Sequence, residues 1–180
     1  MTILTTPRLL LQPFDEHHRE GLRQLNSNLQ VMRYVTGRAE TPEETAAFVA
    51  RVKAAWNDLG YSWWAFIDRS TEQLVGAGCI QNLQRDTANP LEIGWRLLPE
   101  VWGKGYASEA ALAMAGFAFD TLATPQLLAV CHQDNADSAR VMQRLGMHYR
   151  GVERWYNTDT AVYAIDRDQW LAAVAARAAR

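Results

Sequence analysis

Apolar and polar positions alternate along this chain in blocks that predict its elements in order. Arg8–Phe14 holds three consecutive leucines and closes near Pro13, which predicts a short first strand. Asp15 is placed to cap a helix over about 16–27, and a short helix is expected over Leu29–Tyr34. Thr41-Pro42-Glu43-Glu44 is a helix start: a capping Thr, Pro at the first helical position, and Glu three residues after the cap. Phe48, Val49, Val52, Trp56 and Leu59 then recur at helical spacing and mark one apolar face, which Gly60 ends. Residues 61–69 and 73–84 read as a strand hairpin around Ser70-Thr71-Glu72, and 91–98 as another strand.

A glycine turn at 103–105 leads into a helix over about 106–122, followed by a strand at 126–132. Asp134 or Asn135 caps the next helix and Gly146 closes it. Strands at about 147–156 and 160–166 flank a turn at Asn157–Asp159. Asp166 starts a last helix, with Trp170, Leu171 and Val174 on one face, that runs into the alanine-rich tail. Leaving the short 29–34 helix aside, the order is β, α, α, β, β, β, α, β, α, β, β, α. Hairpins mixed with one β-α-β crossover imply a mixed α/β sheet flanked by helices, not a purely parallel doubly wound one.

Composition narrows the class. The 180 residues suit a single domain, and 48 % apolar residues suffice for a core without staples. A formal net charge of -2 argues against duplex DNA or an anionic membrane as the dominant partner. Cys79 and Cys131 form no CxxC pair and no zinc spacing, and in their apolar runs they read as buried free thiols of a reducing compartment. Charges and Pro13 interrupt the N-terminal apolar runs, and nothing approaches the roughly 20 apolar residues of a membrane span. A cytoplasmic location is the default expectation. His17 and His18 are adjacent on a helix and do not share a face; His132 and His148 are isolated. No metal is expected.

The chemistry concentrates in Leu91–Ala110, LEIGWRLLPEVWGKGYASEA. A strand, a turn with Gly103 and Gly105, and a helix rich in small residues follow one another. Glycines allow a tight turn and close ligand approach, the amides of a first helical turn attract phosphate, and Lys104 adds positive charge. A P-loop fails, because no Ser or Thr follows Gly-Lys and the upstream glycine is missing. A dinucleotide fingerprint fails for lack of its third glycine. A coenzyme A pyrophosphate site is the third reading.

That reading rests on resemblance. Trp102-Gly103-Lys104-Gly105-Tyr106-Ala107 resembles the R/Q-x-x-G-x-G/A acetyl-CoA motif of the GNAT acetyltransferase superfamily, with Trp102 in place of Arg or Gln. Thr6-Pro7-Arg8-Leu9, Asn135 with Ser138, and Leu145-Gly146-Met147 resemble the branch of ribosomal-protein N-terminal acetyltransferases (RimJ/RimL-like), in the right order and over about residues 5–170. The resemblance implies an acyl-CoA N-acyltransferase fold, in which a mostly antiparallel central sheet contains a splayed parallel pair, here 91–98 and 126–132. It also implies acetyl-CoA as co-substrate, with pantetheine pairing to the backbone around Trp95, Arg96 and Leu97. Asn135 would bind pantetheine or hold the splayed strand. The acceptor would be a protein N-terminus or a small amine; a homodimer is the assembly that related proteins suggest.

Amine acetylation needs a base, because a Lys-like ammonium with a pKa of about 10.4 has no lone pair. It also needs stabilisation of a tetrahedral oxyanion and a proton for the leaving thiolate. Glu92 is the candidate base, against the alternative of an ordinary outward-facing strand residue. Many relatives carry Tyr seven residues after the motif Asn; Met142 stands there, which leaves Ser138 as the best hydroxyl, or else a helix-start residue. Tyr156 and Tyr163 are further hydroxyls. Tyr34, Arg38, Trp155 and Tyr156 are candidates for the amine pocket, while Trp63, Trp64 and Trp95 are expected to be core. The competing readings are a non-catalytic coenzyme A sensor of the same fold and transfer of another acyl group.

Overall fold

Side-chain caps fix where the helices begin. In the computed structural model, which describes residues 1–179, Asp15 caps a short 3₁₀ turn, Glu16–His18, and α1 (Arg19–Ser27) continues from it. Asn28 accepts from the Gln30 and Val31 amides to start α2 (Leu29–Met32). Thr41 and Glu44 form a reciprocal capping box on α3 (Pro42–Leu59), which ends at left-handed Gly60. Asn135, not Asp134, caps α5 (Ala136–Leu145), and Asp166 with Gln169 forms the box of α6 (Arg167–Ala178). The helix expected over about 106–122 is α4 (Tyr106–Gly116) with its wider continuation. It widens into a turn over Phe117–Thr121, where the Leu122 amide donates five residues back to Phe117.

The strands are β1 (Leu4–Thr5), β2 (Leu9–Pro13), β3 (Trp63–Asp68), β4 (Leu74–Asn82), β5 (Leu91–Leu97), β6 (Gln126–His132), β7 (His148–Trp155) and β8 (Thr158–Asp166). They form one sheet in the order β1-β2-β3-β4-β5-β6-β8-β7. The pairs β1/β2, β2/β3, β3/β4, β6/β8 and β7/β8 are antiparallel, and β5/β6 is parallel. The mixed, mostly antiparallel sheet with flanking helices is therefore observed. The parallel ladder registers at one position, Glu92 opposite Leu128, whereas β6 and β8 pair over seven.

The chain divides into two compact units. Met1–Cys79 with Trp95–Ala113 is one, and Ile80–Gly94 with the chain from Met114 onward is the other. The first has an aromatic core. Phe14 meets Phe48 at 5.4 Å, Phe48 meets Trp63 at 5.2 Å and Trp56 meets Trp64 at 4.9 Å, all edge to face. In the second, Leu127, Val162, Ile165 and Met142 are buried, and Phe119 stacks on Trp170 at 5.3 Å.

Several expectations are corrected. Leu59 is exposed at the end of the α3 face, and only Trp170 of the proposed α6 face is buried; Leu171 and Val174 are exposed. Cys79 is a buried free thiol, but Cys131 is only half-buried. The last hairpin turns at Tyr156 and Asn157, both at positive φ, one residue earlier than expected, so that β8 begins at Thr158. Strand β1 is two residues long, too short to leave a periodic pattern.

Candidate functional site

The glycine turn belongs to the first unit. After β5 a short turn over Pro99–Val101 brings the Trp102 indole back to donate to the Leu97 carbonyl at 2.7 Å. Gly103 and Gly105 have φ of +71° and +82°. A Cβ on Gly103 would meet nothing within 4 Å, so backbone conformation, not space, requires glycine there. The Glu109 amide donates to Gly105 O at 3.1 Å, which leaves the amides of Tyr106, Ala107 and Ser108 ahead of the helical ladder. Lys104 is exposed beside them. Exposed main chain, a helix start and a cation suit a diphosphate, so these residues fit the coenzyme that the sequence implies.

Side chains hold the base of this turn. Tyr106 donates its hydroxyl to Asp68 Oδ2 at 2.5 Å. The Ser70 hydroxyl, the Tyr106 hydroxyl and nearby amides bring the Asp68 carboxyl down to about 2, and the same carboxylate raises the Tyr106 phenol. On β5, Trp95 is half-buried and Leu97 is buried. The Arg96 guanidinium lies 4.9 Å from the Phe48 ring centre and 4.8 Å from that of Trp63. Burial lowers its pKa to about 10, so it remains charged at neutral pH. The Arg96 side chain is thus part of the core.

The carboxylate cluster belongs to the second unit. Glu92 is 5 % exposed, which overturns the outward-facing alternative. Gln81 Nε2 donates to Glu92 Oε1 at 2.7 Å, and the Tyr156 hydroxyl donates to the same oxygen. That hydroxyl in turn accepts from the Gln84 amide at 3.0 Å and from Gln81 Nε2 at 3.2 Å. With two N–H groups on its lone pairs, its own proton is directed at Glu92. Burial raises the Glu92 carboxyl above its ordinary value, and the bonds from Gln81 and Tyr156 temper the rise. A raised pKa brings a carboxylate closer to the range in which general bases work.

The other predicted positions disperse. Ser138 gives its amide to Asn135 Oδ1 at 3.2 Å, and among the described residues its hydroxyl makes no hydrogen bond. Asn135 is therefore a helix cap, and among the described residues its amide nitrogen makes no hydrogen bond. Met142 is buried. Tyr34 carries the Arg33 guanidinium at 4.9 Å over its ring, and Arg38 is bound to Glu44 at 2.5 and 2.8 Å. Trp155 donates to Glu153 at 3.0 Å, and Tyr163 packs on Tyr149. Of the four pocket candidates, Tyr156 bonds Glu92. Gln81, Gln84 and Arg8 escaped the sequence reading as site residues: the glutamines sit in no motif, and Arg8 appeared only inside Thr6–Leu9. Among the described residues no group of three or more His, Cys, Asp or Glu is arranged to hold a metal.

Residues 8–148 match the model of the acetyltransferase (GNAT) domain. An uncharacterized N-acetyltransferase of Bacillus subtilis (strain 168), YnaD, is 30 % identical over 93 % of this chain and 98 % of its own. FsC-acetyl coenzyme A-N(2)-transacetylase of Aspergillus fumigatus is 29 % identical over 93 % of this chain and 77 % of its own. The crystal structure of a GNAT-family acetyltransferase from Bacillus anthracis superposes with a TM-score of 0.79 at 28 % identity, covering 93 % of this chain and 99 % of the other.

Proposed function

The chain belongs to the acetyltransferase (GNAT) family, and from that premise we propose that it moves the acetyl group of acetyl-CoA directly onto a primary amine, with Glu92 as the general base. The observation that carries this is the buried Glu92 carboxylate, raised in pKa and fixed by Gln81 and Tyr156. Acetyl-CoA supplies an activated acyl group, so no covalent enzyme intermediate is needed.

The chain's own residues divide the remaining work. Gly103, Lys104, Gly105, Tyr106 and Ala107 take the diphosphate with main-chain amides and one cation. The short parallel ladder of β5 supports the reading that pantetheine pairs with the main chain of Trp95–Leu97. Asn135 offers its amide nitrogen to the same arm. Glu92 takes one proton of the ammonium, which frees the lone pair that attacks the thioester; the tetrahedral intermediate collapses by breaking the C–S bond, the thiolate leaves to be protonated, and the second nitrogen proton goes to water. Tyr156 becomes the proposed proton donor in place of Ser138, because its hydroxyl already lies on Glu92 and can be recharged from it. The whole chain works as one acetyltransferase domain in this reading. Its acceptor is a protein N-terminus or a small amine; the ribosomal-protein branch is the finer proposal that the four ordered motifs support.

The test is free-thiol release from acetyl-CoA across a panel of small amines and N-terminal peptides. Acceptor-dependent release is expected. Tight coenzyme binding without release for any acceptor would favour the sensor reading. Glu92→Gln should lower turnover by roughly 10²–10⁴-fold with coenzyme A affinity nearly unchanged. Full turnover in that variant at neutral pH removes Glu92 from the mechanism.

A further inference from the structure

The Thr6-Pro7-Arg8-Leu9 segment has no task in the account above, yet its arginine lies against the glycine turn. Arg8 Nη1 donates to the Lys104 carbonyl at 2.7 Å, and Arg8 Nε donates to Glu109 Oε2 at 2.6 Å. The Arg8 amide and the Thr6 hydroxyl both donate to Glu109 Oε1, at 2.8 and 2.6 Å. Glu109 thus receives three donors besides the guanidinium's charge. Burial would raise its carboxyl, but these contacts prevail and hold it below the ordinary value, ionised. The Tyr106 ring lies 4.4 Å from the guanidinium carbon, and Asp68 anchors that ring by its hydroxyl.

One guanidinium nitrogen is left over. Among the described residues Arg8 Nη2 makes no hydrogen bond, and it stands 3.4 Å from where a Cβ on Gly105 would be. The side chain is 45 % exposed although two of its nitrogens are committed. An exposed arginine ordinarily loses rotamer freedom when it binds an anion; here a carboxylate, a carbonyl and an aromatic face have already fixed the fork. Arg8 and Lys104 bring positive charge to this helix start, and Glu109 and Asp68 are the carboxylates held beside it.

We propose that Arg8 is a phosphate-binding residue of the coenzyme site: it fixes the turn through the Lys104 carbonyl and donates Nη2 to a phosphoryl oxygen of the coenzyme A diphosphate. The inference rests on the proposed use of this turn for coenzyme A and deepens it. It explains why an arginine near the start of the chain accompanies a glycine motif almost a hundred residues later.

The test compares coenzyme A with pantetheine, which lacks the diphosphate, on the intact protein. Calorimetry should show Arg8→Gln weakening coenzyme A by about 10- to 100-fold, the loss of a charge-assisted hydrogen bond. Pantetheine affinity, followed by ligand-observed NMR, should not change. Arg8→Lys, which keeps the charge and loses the fork, should fall between. Equal weakening of both ligands would mark a general disturbance of the fold, undiminished coenzyme A affinity would dismiss the contact, and Arg8 Nη NMR signals that stay in place when coenzyme A binds would reduce Arg8 to a bolt for the turn; each overturns the proposal. Should Arg8→Gln not fold, arginine-selective ¹⁵N NMR of the unmodified protein decides: the Arg8 Nη signals should move with coenzyme A and not with pantetheine, and stationary signals refute the contact. If the unmodified protein binds no coenzyme A at all, the failure lies with the cofactor reading itself.

Discussion

A single carboxylate illustrates how far residue type and residue environment differ. Glu at position 92 suggested a base by resemblance, but its burial is what raises its pKa, against the two hydrogen bonds that hold the rise down. A base must be ionised, so turnover should fall as pH drops through that raised value, above the 4.5 of an ordinary Glu. Tyr156→Phe removes one of the bonds that hold the carboxyl down. The acid limb of kcat against pH should therefore move to higher pH in that variant. A limb that stays in place, or moves to lower pH, would separate Tyr156 from the ionisation of Glu92. Arg8 and Arg96 make the same point in opposite directions. Arg96, next to the motif, spends its guanidinium on Phe48 and Trp63, whereas Arg8, remote in sequence, reaches the turn.

Elements were the most legible level, because capping is local chemistry. Asp15, Thr41, Asn135 and Asp166 each cap the helix start that their side chains announced. Thr41→Ala should lower stability by about 1 kcal/mol in denaturant titrations and leave coenzyme A affinity alone. The remaining half of the box, the Thr41 amide on Glu44 at 2.9 Å, still stands in that variant. A loss near zero would mean that this half, with Arg38 on Glu44, fixes the start of α3 by itself. Element ends were less legible. Helix α4 widens over Phe117–Thr121, while Gly116 just before keeps ordinary helical φ and ψ and so marks no end. Leu59, Leu171 and Val174 had helical spacing but no neighbour to cover them, since amphipathic periodicity describes a face and not what packs against it.

At the scale of the whole molecule, stability should depend on pH through His18. The ring is buried; Nδ1 accepts from the Asp15 amide at 3.0 Å, and Nε2 lies 3.1 Å from Gln12 Oε1. That arrangement needs a neutral ring, and burial lowers its pKa from 6.5 to about 4. In this interval the unfolded chain binds the proton and the folded one does not. Stability is therefore complete above about 6.5 and is lost as pH falls toward about 4. Between pH 7 and pH 5 the loss is on the order of 2 kcal/mol, and His18→Gln should abolish it. Glu92 works in the opposite sense, since protonating a buried carboxylate favours the folded state. The difference between the two proteins isolates the histidine, and identical slopes would refute its role.

By itself the sequence determined the local vocabulary and the cofactor class. Caps, hairpins, alternation and the glycine turn depend on neighbours within a few residues, and the order of four motifs carried the resemblance to one family. Tertiary structure alone decided which side chains share a site. It buried Glu92, brought Tyr156 to it across the last hairpin and Gln81 from the neighbouring strand, and set Arg8 on the glycine turn. Those contacts join residues up to 96 positions apart, from Arg8 to Lys104. No spacing rule spans such distances, because only strand register and the turns at Gly103–Gly105 and Tyr156–Asn157 bring the groups together.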